Sequence, residues 1–192
     1  MDIVFDSLEM GLDTLWEAGD LEQIPMLDWI AKSIKVVGAV CDRMLIKKIV
    51  RFLKPISDVD PEEANHFATR MEDGRFRKRV EENLYLLLDS LDDMAKAVVI
   101  GRMFRALMRK EVTYDDYQRL AGAILRMHLA DLSDLMELSN GVQPPGLARQ
   151  ELMSTGLIEI VSVPGIRDES VPNRVEITLL GQAVLPYTND NE

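Results

Sequence analysis

Apolar residues recur at helical spacing along most of this chain. Phe5, Leu8, Leu12, Leu15 and Trp16 form one stripe. Asp2, Asp6, Glu9, Asp13 and Glu17 form another at steps of three and four, so the spacing predicts an acidic amphipathic helix over 3–18, ended by Gly19. Pro25 suits the first turn of a second helix, in which Ile30, Ile34, Val37, Cys41, Leu45, Ile49 and Phe52 keep the spacing until Pro55. Asp60-Pro61-Glu62-Glu63 places a capping carboxylate, a proline at the first helical position and acids in the first turn, which predicts a helix to about Glu72. Asp73-Gly74 breaks it.

The next helical segment runs from Arg75 to Ser90, with Phe76, Val80, Leu84, Leu87 and Leu88 inward. Asp92-Asp93 opens another, whose apolar side is Met94, Ala97, Val98, Gly101, Phe104 and Leu107. Thr113-Tyr114-Asp115-Asp116 reads as a capping box. It opens one long helix carrying Tyr117, Leu120, Ile124, Met127, Leu132 and Leu135, which stops near Asn140-Gly141.

Beyond this point the period changes. Pro144-Pro145-Gly146 reads as a linker, and Leu147 to Thr155 as a short helix closed by Gly156. Residues 157–163 and 174–179 are β-branched and alternating, which predicts two strands around a turn-rich segment, with a last helical turn over 181–185. The expected fold is mostly α: a bundle of about six helices over 1–141, then a small helix plus β-hairpin module over 142–192. The order helix, strand, turn, strand resembles the end of a winged-helix domain.

Charge changes the picture more than composition does. Of 192 residues, 22 are basic and 33 acidic, for a formal net charge of −11. The signs are segregated. Residues 1–28 hold eight acids and no base, whereas residues 32–54 hold seven bases against Asp42 alone. These segments are expected to pack with complementary faces, setting orientation more than stability. From Gly141 on, three arginines face seven acids. A net-negative chain with such a tail repels phosphate, which disfavours nucleic acid as a partner of the winged-helix-like module. No stretch reaches the ~20 apolar residues that span a bilayer, and no basic start precedes an apolar core, so a cytoplasmic location is expected.

The chemistry-bearing residues form no catalytic pattern. Cys41 is the one cysteine and lies in the apolar run Val36, Val37, Ala39 and Val40, which points to a buried, inert thiol. Glu63 and His66 have the Glu-x-x-His spacing of di-iron bundles, but the second such motif is missing. His128 and Asp131 sit one helical turn apart, and more often make a surface hydrogen bond than a metal site. Glu81, Glu82, Asp89, Asp92, Asp93, Asp131, Asp134 and Glu137 read as solvated carboxylates. No phosphate-cradling glycine loop and no nucleophile elbow is present. No catalytic, cofactor or metal residue is therefore assigned.

What remains is a candidate interaction surface: Lys47, Lys48, Arg51 and Lys54 on one helix, and Arg75, Arg77, Lys78 and Arg79 on another. Pairing within the chain, with the acidic helix 3–18, or with a protein partner or a second copy is expected there. An anionic membrane surface is a further target class for the basic helix.

The run Lys96-Ala97-Val98-Val99-Ile100-Gly101-Arg102-Met103-Phe104-Arg105-Ala106-Leu107, then Thr113-Tyr114-Asp115-Asp116-Tyr117 and the helix from Leu120 to Leu138, resembles uncharacterised bacterial helical proteins. Some of these are similar to the abortive-infection alpha family associated with phage defence. The resemblance implies a prophage or defence setting for an interaction or regulatory protein, and transfers no site residue. The alternative expectation is a DNA-binding regulator using the winged-helix-like tail and the basic helices.

Overall fold

The computed structural model describes residues 43–57, 59–161 and 174–188. The expected helix 3–18, the first part of the helix from Pro25 and Cys41 lie outside the described residues. Among those described, eight α-helices and one two-stranded antiparallel sheet form a mostly helical fold with a small hairpin near the C-terminus.

Helix α1 (Arg43–Leu53) gives way to a 3-10 turn (Lys54–Ile56), because Pro55 has no N–H to continue the ladder. Helices α2 (Pro61–Met71), α3 (Gly74–Asp89) and α4 (Met94–Met108) each begin on an aspartate. The Oδ1 atoms of Asp60, Asp73 and Asp93 accept the backbone N–H two residues on, at 2.8, 2.9 and 2.7 Å, satisfying donors that no carbonyl can reach. Thr113 starts α5 (Tyr114–Arg126): its Oγ1 accepts from the Asp116 N–H at 3.1 Å and donates to Asp116 Oδ2 at 2.6 Å.

One expected helix is two. The run from Thr113 to Asn140 breaks at 127–130, and α6 (Asp131–Ser139) starts afresh. No glycine or proline marks the place. His128 supplies the local bonds that replace the ladder: its Nδ1 accepts from the Ala130 N–H at 3.3 Å and its carbonyl from the Asp131 N–H at 3.0 Å.

Helix α7 (Gly146–Ser154) precedes strands β1 (Ile158–Val161) and β2 (Arg174–Ile177), which pair with Ile158 opposite Ile177 and Glu159 opposite Glu176. The second strand ends earlier than its alternation suggests. Thr178 turns the chain into α8 (Leu179–Val184): its Oγ1 donates to the Gly156 carbonyl at 2.7 Å and accepts from the Gly181 N–H at 3.1 Å.

The chain divides into two compact units, the described residues up to Tyr117 and those from Gln118 on. The division falls within α5, and Pro144-Pro145-Gly146 lies inside the second unit.

In the first unit α4 is buried on most sides, Lys96, Val99, Ile100 and Met103 included, not only along its expected stripe. Lys96 runs its stem through the core and reaches exposed Asp92 at 2.6 Å. Aromatic rings meet edge to face along the core: Phe52 on Phe104 at 5.3 Å, Phe104 on Phe67 at 5.5 Å and on Tyr117 at 5.4 Å, and Phe76 on Tyr114 at 5.4 Å.

The Tyr117 hydroxyl is buried with no hydrogen-bond partner. Burial, and Tyr114 beside it, push the phenol far above the usual tyrosine range. Tyr117→Phe removes an unpaired polar group at no cost in shape, so it is expected to raise stability by about 1 kcal/mol in urea unfolding.

Candidate functional site

The eight basic residues singled out from the sequence have different fates. Lys48 is nearly buried, and its Nζ donates to the Asp89 carbonyl at 2.9 Å. That carbonyl belongs to the last turn of α3, where unpaired acceptors and the negative end of the dipole favour a cation. Lys48 therefore ties α1 to the end of α3 and is not part of an open surface.

On α3 the charges are largely answered locally. Arg77 pairs with Glu81 at 2.7 Å and Lys78 with Glu82 at 3.7 Å, both one helical turn away. Arg79 reaches Asp115 at 2.7 Å and lies over the Tyr114 ring, 4.7 Å from its centre. Arg70 of α2 lies over Phe76 in the same way, also at 4.7 Å. These guanidiniums close the rim of the aromatic core. The sequence marked Arg79 as one of a basic cluster, but its partner Asp115 lies 36 residues away, beyond any local pattern.

Lys47, Arg51, Lys54 and Arg75 are exposed and have no carboxylate within ion-pair distance among the described residues. Lys47 and Arg51 stand on α1, and Lys54 opens the 3-10 turn that continues it. Their steps of four and three put them along a single face, and half-exposed Met44 extends that face one turn towards the start of α1. From Met44 to Lys54 the ridge spans about 15 Å of helix axis. Leu45, Ile49, Phe52 and Leu53 bury the opposite side, where α1 packs chiefly on α4. The ridge is thus a fixed array of cations backed by core.

The winged-helix-like part carries the opposite sign. From Gln118 on, five arginines face ten acids. The exposed face of α7 is Leu147, Gln150, Glu151 and Ser154, while Arg149 is half-buried and donates through Nη2 to the Pro144 carbonyl at 3.4 Å. On the hairpin, Glu159 and Glu176 are exposed and directly opposite, a like-charge pair that costs stability.

The metal candidates part company. Glu63 pairs with Arg109 at 3.2 Å, and His66 contacts the Lys110 ammonium instead of a second ligand. His128 is exposed, but Asp131, read from the sequence as solvated, is buried. No group of three His, Cys, Asp or Glu side chains among the described residues could hold a metal ion. No helix among them is long and apolar enough to cross a membrane. No protein-family model, curated protein or solved structure matches the chain.

Proposed function

We propose that this protein is a non-enzymatic interaction or regulatory protein, and that the α1 ridge docks an acidic helical segment of a protein partner. The observation that carries this reading is the row Lys47, Arg51 and Lys54, exposed and without carboxylates among the described residues, while neighbouring cations are consumed internally. A helix with carboxylates at steps of three and four matches the ridge in period. Such complementary rows set orientation and association rate more than raw affinity. Phage defence is the setting that the resemblance of 96–138 suggests.

The order of helices and hairpin in the second unit supports a second reading, a winged-helix DNA-binding regulator. The face that α7 would present to a groove counts against it. It holds Glu151 and no exposed base, so it would repel the phosphates that a reader must neutralise.

Titration calorimetry with a synthetic helix bearing glutamates at the ridge spacing separates these readings from each other. Combined reversal of Lys47, Arg51 and Lys54 to Glu is expected to weaken binding at least about 100-fold, and added salt to weaken the parent. Duplex DNA that bound the parent more tightly than the acidic helix, and through Arg149 or Arg174, would establish the second reading instead.

A further inference from the structure

Asp131 opens α6 directly after the break at 127–130. A carboxylate in a first helical turn is ordinarily solvated and welcome there, because it faces the positive end of the dipole. Asp131 is instead only 8% exposed, and its Oδ2 is closed to solvent and accepts no hydrogen bond.

The charged groups around it do little to help. Asp134 follows in α6, and Glu151 comes from α7, which packs on α6. Both are carboxylates. Arg149, the cation of α7, is directed to the Pro144 carbonyl. Strand β2 also packs on α6, but its charged residues Arg174 and Glu176 are exposed. His128 acts in the opposite sense through its imidazole and its backbone. Burial comes first among these influences, and it holds the Asp131 carboxyl above the usual carboxylate range.

Oδ2 is sealed from solvent and admits no hydrated ion, so a proton is the simplest cation to reach that oxygen. We propose that the α6–α7 joint of the second unit is proton-linked: Asp131 takes up one proton as pH falls, before a free aspartate would, which tightens the joint, and releases it as pH rises, which loosens the joint. The sign follows from linkage. The folded chain holds this proton more firmly than the unfolded chain, whose aspartates release it near pH ~4. The stabilisation is complete below that pH and is lost as pH rises through the folded-state value. This inference stands apart from the reading of the α1 ridge.

Thermal unfolding of the full chain and of Asp131→Asn, side by side from about pH 4 to pH 8, tests it. Asn keeps the shape and cannot ionise. The two melting curves are expected to meet at the acid end and separate as pH rises, the variant melting about 3 °C higher at the alkaline end. A separation that does not change with pH would overturn the proposal. A direct carbon-13 titration of the Asp131 carboxyl in the parent is a second, independent measurement that holds even if the variant folds poorly. A midpoint above the ordinary aspartate range is expected, and one at or below ~3.9 overturns the proposal.

Discussion

Phe104→Ala is expected to cost the first unit about 4 kcal/mol, a large part of the roughly 5–15 kcal/mol that holds an ordinary domain folded. Phe104 is fully buried and sits edge to face against Phe52, Phe67 and Tyr117, rings carried by α1, α2 and α5. Truncation to Ala loses the buried ring, leaves a cavity and breaks three aromatic contacts worth about 0.5–1.5 kcal/mol each beyond burial. Urea unfolding followed by circular dichroism measures the loss. Phe104→Leu refills most of the volume and should recover at least half of it, because only the ring geometry is then missing. Equal losses in the two variants would mean that the edge-to-face contacts, and not the cavity, carry the effect.

Gly101→Ala is expected to cost about 2 kcal/mol, a fall of about 6 °C in melting temperature. In a helix interior this exchange ordinarily gains up to about 1 kcal/mol, since Ala is the better helix former. Here an added Cβ would stand 2.3 Å from the Phe52 carbonyl oxygen and 3.2 Å from the Pro55 ring. The first obstacle is backbone, so α1 and α4 would have to separate, loosening the packing that holds the basic ridge in place. A variant as stable as the parent would show that the helices can part at no cost. The ridge reading would then lose its rigid backing.

Both positions were visible in the sequence as part of an apolar stripe, Gly101 and Phe104 among its members. Their weight was not. The stripe says which side of α4 faces inward. It does not say that Val99, Ile100 and Lys96 are buried as well, because that depends on how many neighbours surround the helix. Lys96 shows the limit most plainly: a charged residue reads as exposed, yet its stem can lie in the core while its tip reaches Asp92. The break at 127–130 was hidden for a related reason. Apolar residues continue inward on both sides of it, and a histidine, not a glycine or proline, supplies the alternative hydrogen bonds.

The candidate surface was half legible. The sequence grouped Lys47, Arg51 and Lys54 with Lys48 as one cluster, and the structure keeps the first three exposed. The same reading counted Lys48 and Arg79 in. Their partners, the Asp89 carbonyl and the Asp115 carboxylate, lie 41 and 36 residues away.

The sequence by itself determined where most of the helices begin and which side of each is apolar. Caps such as Asp60, Asp73, Asp93 and Thr113 act on backbone donors two or three residues away, and helical periodicity is a property of one element. Only the tertiary structure decided which charges stay open and which are closed in, Lys48 on a helix end and the buried Asp131 among them. A side chain's solvation and partners are set by what distant segments bring against it, and no local pattern encodes that.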